Sequence, residues 1–252
     1  MDSLNISNLS LFLASALVII ALLIDYKEKL GLGKDIFIAA IRTVLQLFII
    51  GYVLSAIFKL DNAIVTSLMV LFIIVNAAYN SGKKASHLEH GFKTSLIAIS
   101  MGTLLSLLVL VLSGTIKWTP SQIVPITGMI ASNAMTAVGV GYRTMNSKFT
   151  DQRQQIQEKL ALGATKKQAT LPIIKESIKT AMSPSVDRAK TVGLVSLPGM
   201  MSGLMFAGID PTTAIRYQIV VMFMLISTTG FATMIASYLA YKQYFNELDQ
   251  LK

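Results

Sequence analysis

The chain has 252 residues, 53% hydrophobic and only 14% charged, with a formal net charge of +9 and no cysteine. A soluble domain carries about a quarter charged residues, so this composition argues against an ordinary globular enzyme and for lipid. The missing cysteines exclude disulfides, thiolate metal sites and a cysteine nucleophile, and no basic segment precedes the first apolar run as a cleavable signal peptide would need.

Seven long apolar runs follow one another: Leu9–Ile24, Ile36–Phe58, Ala63–Tyr79, Thr94–Ser113, Ile123–Tyr142, Val192–Ala207 and Ala214–Tyr241. A spanning helix needs about 20 mostly apolar residues. The second, fourth and fifth runs fit; the first and third are slightly short; the sixth is short and broken by Pro198-Gly199; the last is long enough to tilt. No strand-like alternation of barrel length appears, so helices are the spanning solution. The expected fold is all-α: a polytopic membrane protein of about seven transmembrane helices, forming a single permease domain over 1–252.

Lys and Arg alternate sharply between the connecting segments. Lys27, Lys29, Lys34, Arg42, Lys83, Lys84, Lys93, Lys242, Lys252 and the ten cations of Arg143–Lys190 fall on one side, nineteen in all. Only Lys59, Lys117 and Arg216 fall on the other. The positive-inside rule then puts the N-terminus outside and the C-terminus in the cytoplasm of a plasma (inner) membrane. The +9 charge is thereby an orientation signal, and no nucleic-acid partner is expected.

Arg143–Lys190 reads as one cytoplasmic helical element. Thr150 or Asp151 can cap a helix that contains Glu158 and Lys159 and ends at Gly163, a residue free to take the left-handed conformation. Thr165 can cap a second helix. Pro172 is expected to break or kink it, and Ser183-Pro184 reads as a further start. A basic stretch can rest on anionic lipid headgroups, which explains the lysines. It does not explain Gly163-Ala164-Thr165, small residues that let another surface approach closely.

The Gly-Ala-Thr corner with a following Leu-Pro resembles the coupling segment of ABC-transporter permeases. Gln157-Glu158-Lys159 stands where those permeases have Glu-Ala-Ala, and Pro172 follows Gly163 about one turn early. A closer likeness covers most of the chain. "AIRTVLQLFIIGYVL" (40–54), "PITGMIASNAMTAVGVGYR" (125–143) and "VGLVSLPGMMSGLMFAGIDPTTAIRYQIVVMFM" (192–224) are similar to the bacterial iron-export ABC permease family, FetB-like. The resemblance implies a permease homodimer in membrane lipid and a separate cytoplasmic ABC ATPase subunit. That ATPase would dock on Glu158, Gly163, Ala164, Thr165, Lys166 and Lys167. No Gly-x-x-x-x-Gly-Lys-Ser/Thr occurs, so this chain does not cradle nucleotide itself, and no cofactor is expected.

Interrupted apolar segments mark transporter substrate sites. Pro125–Gly141, with Asn133, and Val192–Gly208, with Pro198, Gly199, Met200 and Met201, are both interrupted. Arg42 and Gln46 lie one turn apart in the second run, where a polar residue is costly unless it faces protein or water. Arg42, Gln46, Asn133, Pro198, Gly199, Met200 and Met201 are the candidate pathway residues. Met also fills gaps, Arg42 can snorkel, and Asn76, Asn80 and Asn133 read first as bonds between helices. No metal ligand set is legible: the spans hold few carboxylates, and Asp210 sits at an outer edge. Iron would move chelated or through a weak site. His87 and His90, one turn apart around Glu89, do not match a zinc protease spacing. An importer permease, a permease for another small solute and a passive channel are the alternatives. The short outer segments favour export, because they offer little to seat a binding protein.

Overall fold

The computed structural model describes Leu9, residues 13–195 and residues 197–252; residues 10–12 of the expected run Leu9–Ile24 and residue 196 of the expected run Val192–Ala207 lie outside the described residues. The described chain is helical: α1 (Ala16–Glu28), α2 (Gly33–Leu60), α3 (Ala63–Lys83), α4 (Gly91–Leu112), α5 (Pro120–Asp151), α6 (Arg153–Ala161), α7 (Lys166–Thr191), α8 (Gly199–Phe206) and α9 (Pro211–Ala240), then a 3-10 turn over Tyr241–Tyr244. Two compact units divide at residue 60.

The first unit is the helical pair α1 and α2. Lys29 takes the left-handed conformation, and the chain turns back over Asp25. The buried Asp25 carboxylate accepts from the Leu32 backbone N–H at 2.7 Å, ahead of the first turn of α2. Gly33 makes room for it, since a Cβ there would fall 2.8 Å from Asp25 Oδ2. A carboxylate is favoured at this point because the first turn of a helix carries unsatisfied N–H groups. In the most apolar stretch of α2 no residue is buried.

The second unit packs α3, α4, α5 and α9 together, with α7 against α5 and α9. Small and hydroxyl residues carry the close contacts, as expected where lipid removes the hydrophobic drive between helices. A Cβ on Gly102 of α4 would touch Ala232 and Thr228 of α9 at 3.3–3.4 Å. Ser106 and Thr228 share a hydroxyl bond across the same pair, and Ser95 meets the buried Tyr142 of α5 at 3.1 Å. Trp118 stands in the connection before α5, at the end of the unit opposite Tyr142.

Among the described residues five helices are long and apolar enough to cross a membrane: α2, α3, α4, α5 and α9 with its 3-10 turn. The expected sixth span is not one of them. The described residues between Thr191 and Gly199 lie in no helix, and α8 has eight residues. The coupling region also differs from expectation. Helix α5 runs through Thr150 and Asp151 to Gln152. Neither side chain is available as a cap, because the Thr150 hydroxyl donates to Asn146 O at 3.0 Å and Asp151 accepts from Ser147 at 3.1 Å. Pro172 breaks nothing and Pro184 starts nothing; both lie inside the continuous α7. Ala169, Ile173, Ile174, Ser177 and Ala181 are buried on either side of the first proline, so packing holds the helix through the lost donors. Helix α7 packs against α5 and α9 along much of its length. Its second half reaches Thr229 through Ser185 at 3.4 Å and Asn133 through Arg188 at 3.3 Å.

Candidate functional site

The corner between α6 and α7 is built by its own sequence. Leu162 ends α6, and Gly163 follows at φ 89°, where an L side chain is strained and glycine is not. Thr165 opens α7 with a capping box. Its hydroxyl accepts from Gln168 N, and Gln168 Oε1 accepts from Thr165 N at 2.9 Å. Two orphan backbone donors are thereby satisfied. Ala164 and Leu160 pack on the core, Gly163 and Lys167 are exposed, and Leu162 is 88% exposed. Glu158 is exposed and accepts from Gln154 at 2.9 Å. The corner is thus a rigid, protruding turn with an apolar tip.

The last twelve residues hold this corner, a role with no signal in the apolar pattern. Lys166 forms an ion pair with Asp249 and lies over the Phe245 ring at 5.7 Å. Lys167 lies over Tyr238 at 5.6 Å. Tyr244 stacks on Phe149 at 3.9 Å between centroids, and Phe245 meets the same ring edge-on. Arg153 donates to the carbonyls of Leu251 and Lys252. The Asn246 carboxamide closes the turn, accepting from Leu248 N and Gln250 N at 3.0 and 2.8 Å. Lys252 pairs with Glu89 at 2.6 Å, which holds the Glu89 carboxyl below its ordinary value.

His87 faces the Tyr244 ring at 5.7 Å, and burial lowers its pKa. Among the described residues no group of three His, Asp or Glu could hold a metal ion. Asp210 caps α9, accepting from Thr212 and Thr213, and these bonds keep its carboxyl low.

The candidate pathway residues fall in three places. Arg42 and Gln46 lie on α2 in the first unit, both exposed within it. Pro198 precedes α8 and Gly199 opens it; Met201 is buried, and Met200 packs on the core. The Pro198 carbonyl is already taken by Ser202 N at 3.0 Å. Asn133 sits in the middle of α5, where its amide donates to Met129 O at 2.8 Å and its oxygen accepts from Arg188. The expected bonds between helices by Asn76 and Asn80 are not formed. These two bond each other within α3 at 2.6 Å and stay exposed. They line a groove of about 480 Å³ with Ser132, Met135 and Lys84. Burial, with the charge of Arg143 added, lowers the Lys84 pKa.

Long apolar helices, close packing by hydroxyls and glycines, and a protruding basic corner define a helical membrane protein. The chain matches the model of the uncharacterised protein family UPF0014 over residues 8–245, and it belongs to that family. It is 55% identical over 251 residues to "Probable iron export permease protein FetB" of Escherichia coli, covering 100% of this chain and 97% of the relative. It is 37% identical to "UPF0014 membrane protein STAR2" of Oryza sativa, over 94% of this chain and 84% of that one. It is 36% identical to "Protein ALUMINUM SENSITIVE 3" of Arabidopsis thaliana, over 95% and 88%. No solved structure matches the chain.

Proposed function

We propose that this chain is the membrane permease of an ATP-driven iron exporter, working as a homodimer with a separate cytoplasmic ATPase subunit. The observation that carries this reading is the full-length, 55% identity to the bacterial protein named as an iron export permease. The protruding corner supports the partner: Gly163, Ala164, Thr165, Lys166 and Lys167 form a small-residue turn with cations behind it, held by a capping box and by the tail. The proposed topology keeps seven spans in altered form. The first hairpin helix, the five long helices and a broken segment made of the second half of α7 with α8 make seven. The cation asymmetry puts the corner and Lys252 in the cytoplasm and Trp118 at the outer surface.

A deletion strain grown in iron excess tests the reading. Cell iron should rise in the strain and return with the parent gene, but not with Ala164→Glu, which blocks close approach at the corner. Unchanged iron content on deletion would overturn the export assignment. Normal ATPase assembly and stimulation by Ala164→Glu would overturn the docking assignment.

A further inference from the structure

The groove between α3 and α5 shares no residue with the coupling corner. Asn76 and Asn80 stand one turn apart on α3, and Lys84 follows one turn further on, where the helix ends. On α5, Gly128, Ser132, Met135, Gly139 and Arg143 recur at spacings of three and four, which puts them on one side of that helix. Asn76, Asn80, Lys84, Gly128, Ser132 and Met135 line the one groove. Lys84 lies across α5 at Gly139: a Cβ there would fall 2.5 Å from Lys84 Cδ and 3.3 Å from its Nζ. The glycine is thus a notch that seats the lysine stem against α5. Arg143, one turn beyond the notch, is close enough for its charge to bear on Lys84.

The groove reaches into the span. Asn76 stands thirteen residues beyond Ala63 and seven before Lys83. At ~1.5 Å per residue this is about 20 Å from one end of α3 and about 10 Å from the other. Asn76, Asn80 and Ser132 are all exposed on the second unit. An open carboxamide at that depth does not face lipid; it faces protein or a water-filled cavity. The Asn80 amide donates to Asn76 Oδ1 and to Asn76 O, so the Asn76 amide keeps its own donors, and Ser132 donates to Met129 O at 3.2 Å. The groups left to the groove are then mainly donors: the Asn76 amide, the Lys84 ammonium and, at the mouth, the Arg143 guanidinium. No carboxylate lines the groove, and among the described residues neither Lys84 nor Arg143 enters an ion pair. Two neighbouring cations with no counter-charge favour an anion beside them. An arginine fork and a lysine point charge both suit carboxylate or phosphate oxygens. A bare metal ion would instead need carboxylates or imidazoles, and both cations repel it. About 480 Å³ holds a small molecule or a headgroup.

We propose that the α3–α5 groove is an oxyanion site, in which Lys84 and Arg143 hold the phosphate or carboxylate oxygens of a ligand and Asn76 donates to it from deeper in the span. Two sources offer that chemistry, a soluble polyanion and an anionic lipid headgroup, and two arms separate them. In nanodiscs of phosphatidylcholine the full-length permease is titrated with citrate and with inorganic phosphate. In detergent, permease taken from membranes that contain phosphatidylglycerol is weighed by native mass spectrometry. A soluble ligand shows as saturable binding in the discs, a headgroup as phosphatidylglycerol retained by the permease. In the arm that binds, Lys84→Gln with Arg143→Gln should weaken binding at least about tenfold, and Arg143→Lys should keep most of it. Gly139→Ala leaves every charge in place but pushes the Lys84 stem from its notch, and should weaken binding several-fold. Lys93→Gln removes a cation that does not line the groove and should change nothing. Bound ligand should also raise the Tm of the parent and not that of the double variant, which separates a lost site from a lost fold. Equal binding by parent and double variant, or none by the parent in both arms, would overturn the site. An equal loss with Lys93→Gln would reduce the effect to net charge and overturn it too. Ferrous ion bound alone in the discs, and lost with Asn76→Leu, would overturn the oxyanion assignment.

Discussion

Gly163 should be replaceable at a cost set by its backbone alone. Its φ of 89° is left-handed, and a Cβ built there meets nothing within 4 Å. The left-handed conformation costs an L residue about 1–2 kcal/mol, less for Asn, whose side chain bonds locally. Gly163→Ala should therefore lose about 1 kcal/mol, Gly163→Asn less, and the β-branched Gly163→Val more. For a chain of this size each kcal/mol is about 2–4 °C of Tm. Function should suffer more than stability. Helix α6 has nine residues, below the roughly 12–15 that stand alone in water, so a loosened corner lets it wander. Thermal unfolding in one detergent, beside ATPase stimulation of the reconstituted complex, measures both. Gly163→Asn costing as much as Gly163→Ala would refute the reasoning, because it would mean that space and not φ sets the penalty.

Lys166→Glu and Asp249→Lys should each lower ATPase stimulation while moving stability by under about 1 kcal/mol, since the pair is partly exposed. The double swap should restore stimulation, and a double variant no better than either single would exclude the pair as the brace. Gly82→Ala should cost about 1–3 kcal/mol, because its Cβ would fall 2.8 Å from Phe92 Cα, which is backbone and cannot step aside. Gly128→Ala, with open space around it, should be neutral or stabilising in the same unfolding assay. His87, its pKa lowered by burial, binds its proton less readily folded than unfolded. Its stabilising effect is therefore full above the ordinary value of about 6.5 and is lost as pH falls through that value towards the lower folded one. Tm should drop on acidification across this range, and His87→Gln should flatten that part of the profile.

The apolar runs made the long helices legible, because lipid and length leave a helix little choice. Gly163 and Thr165 were legible for a local reason: a positive φ and an N-cap are each decided within four residues. The prolines misled for the opposite reason. Pro172 and Pro184 are helix breakers by propensity, but buried neighbours such as Ile173, Ile174 and Ala181 outweigh them. Arg188 reads as a loop cation in the sequence, since charge alone names no neighbour; the contact with Asn133 sets it beside α5. The tail was silent because its work is done by single contacts, Lys166 with Asp249 and Tyr244 on Phe149, spread over a hundred residues of sequence.

The continuity of α7 has a mechanical meaning. One rod runs from the corner at Lys166 to the break at Thr191, about 37 Å at ~1.5 Å per residue. No loop lies between, so a push at one end is delivered at the other as leverage and not dissipated on the way. A tilt of about 5° over that length swings the far end by roughly 3 Å, enough to separate Arg188 from Asn133 at hydrogen-bond range.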